Sequence, residues 1–512
     1  MTAKNPIEAK APSVALSAVP IVFLLMTIIC IMLVFGADMV SQLSPLVLLC
    51  ASALAISLGL ASHTVRKFSF MHGMARSVRQ TLPAIPLLIF IATVSATWML
   101  SGIVPTLIDY GLRILNPTFF LLIACSVCAF ISILTGSSWT TIATIGVAFM
   151  GIGTVMGYSP GWIAGAIISG AYFGDKMSPL SDTTVIASSS GGVDLFEHIR
   201  YMMFTSGPAM LISLIVFTIT GLSTGSHGAE NGAESIIAGL ESTFNLTPWV
   251  LVIPAITAIL IACRVSTLVT LAISSILGLA GIFIFQPHLS AVLSDGSGSF
   301  LSHMAMAGKI LVSETSLSTG DQALDSLVGT GGITGMLPTV YLVICAMIFG
   351  GVMIGTGMLR TLSEAFTRLI GSRSSLVGTT AASGILLNAC TADQYLSIII
   401  GCNMYKPVYQ KFNLEPRLLS RTVEDSTSVT SVLIPWNSCG VTQSTVLGVA
   451  TLAYLPYCVF NYLSPLMSLL MAWTGWRIRT VKTALSTQQY LSRIHIRRCR
   501  LLVECISSWS PY

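Results

Sequence analysis

Apolar runs long enough to cross a membrane alternate along this chain with short polar stretches. The segments 20–35, 45–61, 82–100, 119–134, 202–222, 249–263, 268–285, 337–355 and 446–463 are almost wholly apolar. About 20 such residues in a helix span a hydrocarbon core, and roughly ten to twelve spans fit the chain. Lipid offers backbone groups no hydrogen-bond partners, so each crossing must be helical. The pattern predicts an all-α polytopic membrane protein.

Four polar stretches, 135–141, 174–184, 388–394 and 424–438, interrupt this pattern without forming long hydrophilic loops. Their hydroxyls, amides and carboxylates cannot face lipid, where each unsatisfied group would cost several kcal/mol. They must face protein or a water-filled cavity. Pro179 and Pro435 lack an amide hydrogen and disfavour helix just before them, which predicts broken or re-entrant helices in both places.

Composition agrees with the pattern. Hydrophobic residues make up 54% and charged residues 9% of the chain, against about 25% charged in soluble domains. The mean hydropathy is +0.83. No small-x-small cleavage pattern follows the first run, so it is read as an uncleaved membrane helix. The cysteines form no disulfide framework. A net charge of +5 gives no reason to expect nucleic acid. The sequence holds no Gly-x-x-x-x-Gly-Lys-Ser/Thr loop and no His-Glu-x-x-His, which argues against an ATP-driven pump and a metalloprotease. No cofactor and no enzymatic activity are expected.

Arg66, Lys67, Arg76 and Arg79 follow the second span, while the 222–248 connection carries Glu230, Glu234 and Glu241 and no Lys or Arg. The positive-inside rule then places both termini in the cytoplasm. The expected divisions are an N-terminal arm 1–19, a first transmembrane half 20–285, an external loop region 286–335, a second half 336–475 and a basic tail 476–512. Segments 82–115 and 337–370 align without gaps at an offset of 255, with eight identities that include Pro83/Pro338, Gly102/Gly357 and Arg113/Arg368. The charge pattern runs the two copies in opposite directions. This predicts two inverted-topology repeats whose broken helices meet at the membrane midplane.

Chemistry is expected where carboxylates enter the polar stretches, because such groups are costly at membrane depth and mark ion pathways. Asp175 and Asp182 lie seven residues apart, about two helical turns, on either side of Pro179. A mild break would put both on one face. With Ser178, Thr183 and freed backbone carbonyls they offer the all-oxygen shell that a hard cation prefers. In the second half Asp393 and Asp425, with Ser426 and Thr427, are the corresponding candidates, and Asp425 is preferred over its neighbour Glu424. Asp175, Asp182, Asp393 and Asp425 are therefore the candidate cation ligands and proton carriers. Ser137, Ser138, Thr140, Thr141, Lys176, Asn388, Thr391, Glu424 and Asn437 form a supporting set. Lys176 reads equally as a countercharge to Asp175 or as a snorkelling residue.

The stretch Gly174-Asp-Lys-Met-Ser-Pro-Leu-Ser-Asp-Thr-Thr184, followed by Asp194-Leu-Phe-Glu-His-Ile-Arg200, resembles the signature of the NhaC Na⁺/H⁺ antiporter family. The resemblance extends over about residues 15–475. It implies a bacterial inner-membrane antiporter of the ion-transporter superfamily that exchanges Na⁺ for H⁺, with the lipid bilayer as surroundings and the oligomeric state, a homodimer included, left open. The same family contains Na⁺-coupled malate/lactate exchangers, so a carboxylate-coupled antiporter is the alternative. That alternative needs cationic partners for the substrate, and no Arg lies within the polar stretches. The basic segment after Trp476 has no counterpart in the resemblance, and reads either as a tail or as the product of a shifted reading frame.

Overall fold

The apolar runs fold as helices throughout. The computed structural model describes residues 11–62, 69–82, 84–224, 230–263, 265–293, 300–317, 325 and 328–480. Among them there is no strand, only the isolated bridges Thr315–Thr330 and Leu414–Thr480. Seven described helices are long and apolar enough to cross a membrane, or up to ten spans if each of three sharply bent helix pairs counts as one. One bent pair is Ile85–Leu100 with Ile103–Ile114, at 65°. The first ten residues of the expected arm and residues 481–512 of the expected tail lie outside the described residues. The loop expected over 286–335 contains the helix Phe300–Val312, packed against Ala84–Leu100 and Gly332–Gly355.

The helix Leu195–Thr224 illustrates how the bundle is sorted. Leu211, Ile215, Ile219 and Leu222 project outward, while Thr205, Ser206 and Ser213 are buried. Apolar side chains meet lipid and hydroxyls meet protein, the reverse of a soluble helix. Where helices must approach closely, glycine allows it. A Cβ at Gly170 would sit 2.1 Å from the Cys125 carbonyl oxygen, and one at Gly174 would sit 2.2 Å from that of Ala129. Phe120–Thr135 and Pro160–Met177 therefore pack backbone to backbone.

The repeat anticipated from 82–115 and 337–370 extends much further in the structure. Gly102 and Gly357 adopt the same left-handed conformation ahead of Ile103–Ile114 and Met358–Thr367. Gly136 and Ala392 are left-handed breaks 256 residues apart. Pro160 and Pro416 open helices, Asp182–Gly191 and Ser438–Leu447 are both ten residues long, and left-handed Gly192 and Gly448 end them, all at that same offset. Hydrogen bonds repeat too. Thr135 Oγ1 accepts from Ser137 N and pairs with Thr141 Oγ1, while Thr391 Oγ1 accepts from Asp393 N and pairs with Ser397 Oγ. Sequence alone pairs the stretches 135–141 and 388–394 at an offset of 253, Thr135 with Asn388, and the structure corrects that register. Short-range resemblance among Ser, Thr and Asn misled it, whereas the backbone turn identifies Thr391.

The leading helices of the first half pack against the second half. Val14–Phe35 lies against Met358–Thr367 and Ala37–Ala61 against Gly332–Gly355. The division of the chain at residue 285 is thus a sequence boundary that the packing crosses.

Candidate functional site

The broken helices bring the four polar stretches together. Gly136 ends one helix, and Ser137, by accepting from Thr140 N with its hydroxyl, starts the short helix Ser138–Thr141. That start aims Ser138 Oγ at Asp175 in the last turn of Pro160–Met177, where it donates to the carboxylate at 2.7 Å. Asp175 is 9% exposed. It forms no ion pair among the described residues.

The helix stops at Met177 because Pro179 cannot continue it, and a new helix begins at Asp182 with Ser181 as its cap. The break is thus complete. Asp175 and Asp182 do not share a helix face, although they remain within electrostatic reach of each other. Asp182 is exposed and lines a cavity of about 260 Å³ together with Thr135, Thr140, Leu180, Ser266 and Thr270. The oxygens freed by the break are largely claimed by protein. Ser178 Oγ donates to Ile133 O at 2.7 Å and accepts from Leu180 N, and Thr184 Oγ1 donates to Lys176 O. Ser178 ties the break to its neighbour and offers less to a cation than its sequence position promised. Thr183 Oγ1 pairs with Ser181 Oγ at 3.0 Å.

In the second half Pro416–Val423 runs into a π-helical turn, Glu424–Ser428, in the midst of the bundle. Such turns widen a helix locally and are frequent at functional sites. Asp425 is fully buried and heavily bonded. Lys176 Nζ donates to it, as do Thr205 Oγ1 and Ser464 Oγ at 3.2 Å each and Ser468 Oγ, while Arg421 Nε stands 3.8 Å away. Lys176, adjacent to Asp175 in the chain, is the countercharge of Asp425, and neither of the two readings made from the sequence applies. Glu424 is the opposite case. It is completely buried and neither carboxylate oxygen accepts a hydrogen bond. Ser426 Oγ turns back to Thr422 O at 2.6 Å, and Thr427 Oγ1 is buried without a partner.

Asn388 holds this turn through its amide, which donates to Thr427 O at 2.6 Å, and its own carbonyl receives Asn437 Nδ2 at 3.3 Å. Asp393 caps the helix Gln394–Lys411 by accepting from Leu396 N at 2.8 Å. Tyr395 is within electrostatic reach of Asp175, Asp182 and Asp393. Sequence reasoning missed Thr205, Ser464 and Ser468. A signal existed, because Asn461, Ser464 and Ser468 recur at helical spacing within an apolar span and all three are completely buried.

The charges decide what the site can do. Around the breaks the buried acids are Asp175, Glu424 and Asp425, the buried Lys and Arg are Lys176 and Arg421, and His198 is buried beside them with its ring on Ser420 Oγ. Three negative charges against two positive leave one carboxylate uncompensated, an arrangement costing several kcal/mol in a dry interior. One monovalent cation, or one proton, restores neutrality. Register asymmetry sharpens this, since the 256-residue offset puts Ile168 and Ser169 where Glu424 and Asp425 stand.

Comparison with known proteins shows the family. Residues 170–476 match the model of the Na⁺/H⁺ antiporter family. The Na⁺/H⁺ antiporter NhaC of Alkalihalophilus pseudofirmus is 38% identical over 389 residues, covering 76% of this chain and 81% of the relative. NhaC of Bacillus subtilis is 35% identical over 82% of this chain and 89% of its own length. The malate-2H⁺/Na⁺-lactate antiporter of the same organism is 32% identical over 83% and 87%. With a matched region that spans all four polar stretches but the first and relatives aligned over most of both lengths, the chain belongs to the Na⁺/H⁺ antiporter family.

Proposed function

We propose that this protein is a secondary antiporter exchanging Na⁺ for H⁺ across the bacterial plasma membrane, with Asp175 as the central transport carboxylate. The observation that carries the reading is a buried carboxylate that receives the Ser138 hydroxyl but no cationic partner, within electrostatic reach of Asp182, which lines an open cavity. Protons and Na⁺ compete for the same oxygens, so only one charge is carried in each direction by that group. Alternation between the two inverted halves would then expose it to either side. Asp182 at the cavity wall draws cations in, and Asp393 holds the second break in shape. The termini are taken as cytoplasmic from the Lys/Arg pattern.

The malate/lactate relative keeps a carboxylate substrate in view. What favours Na⁺ as the substrate here is that Lys176 and Arg421, the cations nearest the breaks, both face Asp425. A substrate carboxylate would have to displace that pairing. Proteoliposomes carrying a pH dye test the reading. Added Na⁺ should drive proton movement, malate and lactate should not, and Asp175→Asn should abolish the signal while the protein stays folded. Flux surviving in both Asp175→Asn and Asp182→Asn would overturn the assignment of the carrier.

A further inference from the structure

Glu424 is a buried acid to which the fold gives no ion-paired partner, the charge of Lys176 reaching it only from its place on Asp425. Its side chain is completely buried, both oxygens lack hydrogen bonds, and Lys176 is turned to Asp425 instead. Asp425, one residue on, receives four donors and two charges. A bare ionised carboxylate in a dry interior is not tolerated unless something arrives to compensate it. Two hydroxyls lie in its surroundings. Ser428, one helical turn on, is 5% exposed and its Oγ has no partner, and Thr183 reaches the carboxylate's vicinity from the other repeat. Asp175 lies within electrostatic reach on the same side. Glu424 and Ser428 stand four residues apart at the two ends of the π-helical turn.

We propose that Glu424, Ser428 and Thr183, with Asp175, form the seat of the transported monovalent cation, bridging the two repeats at the π-helical turn. This rests on the Na⁺/H⁺ reading above and adds the second carboxylate. Oxygen ligands alone suit Na⁺ or Li⁺, and the enclosed position disfavours the larger K⁺. Asp425 is then the structural anchor that fixes Lys176 away from the seat.

The test is direct binding of ²²Na⁺ to the purified full chain in detergent, paired with thermal unfolding in Na⁺-free and Na⁺-containing alkaline buffer. Glu424→Gln should weaken Na⁺ binding at least about tenfold, the scale of one charged ligand lost. Because the uncharged amide removes the uncompensated charge, the same variant should melt higher than wild type without Na⁺ and lose the Na⁺-induced rise. Ser428→Ala, which leaves the charges intact, should weaken binding by a few fold and keep the fold. Wild-type affinity in both Glu424→Gln and Ser428→Ala overturns the seat. A wild-type protein that binds no Na⁺ at any pH overturns the Na⁺/H⁺ reading itself, and the two failures are distinguishable.

Discussion

Replacing Lys176 by Met removes the charge that joins the two repeats. Lys176 is 1% exposed and Asp425 completely buried, so neither is rescued by water. In Lys176→Met, Asp425 keeps the hydroxyls of Thr205, Ser464 and Ser468, but its remaining cation is Arg421 at 3.8 Å. Breaking a buried pair by removing one partner costs about 3–5 kcal/mol. In Asp425→Asn, Lys176 loses its counterion and retains Ser464 at 2.9 Å and the Phe460 ring at 6.0 Å, so a similar loss is expected. The double variant removes both charges and should be less destabilised than the sum of the singles, with a coupling of at least about 2 kcal/mol. It should not reach wild-type stability, since Arg421 then keeps no counterion, only the Tyr201 ring 4.6 Å away and Met471 Sδ at 3.5 Å. Equilibrium unfolding in mixed micelles, followed by tryptophan fluorescence, measures all four corners of the cycle. Single variants that each lose less than about 1 kcal/mol, or losses that simply add, would refute the pairing as a load between the halves.

Other outcomes follow from the same geometry. Ser138→Ala removes the hydroxyl that favours the charged form of Asp175, so the pH at which Na⁺ half-saturation worsens should move to more alkaline values in liposome flux assays. In wild type, apparent Na⁺ affinity should weaken as pH falls, because protons occupy the same oxygens, and pH-independent affinity would contradict competition. Gly170→Ala forces a methyl into the Cys125 carbonyl and should lower stability by about 1–3 kcal/mol, visible as an earlier melt or loss of the monodisperse peak in size exclusion. Thr135→Val and Thr391→Val remove matching hydrogen bonds at the two breaks and should each cost about 1–2 kcal/mol in thermal unfolding, within error of one another.

Much of this architecture is legible in the chain itself. Membrane helices follow from apolar length, because lipid leaves the backbone no alternative partner. The breaks at Pro179 and Pro435 follow from a missing amide hydrogen, and Asp175 stands out because a carboxylate between apolar runs has nowhere cheap to go. Those are local properties, and local sequence carries them. Which charge meets which is not local. Lys176 follows Asp175 in the chain, but the side chain leaves a helix end in a direction set by the turn, and it meets Asp425, 249 residues away. Glu424 and Asp425 are neighbours with the same functional group, yet adjacent positions on a helix point about 100° apart. One enters a nest of hydroxyls and cations, and the other is buried without a hydrogen-bond donor. No reading of residue types distinguishes them. Packing of the two repeats decided it, because only there do donors from Leu195–Thr224 and Val459–Thr474 reach Asp425 and leave Glu424 uncovered.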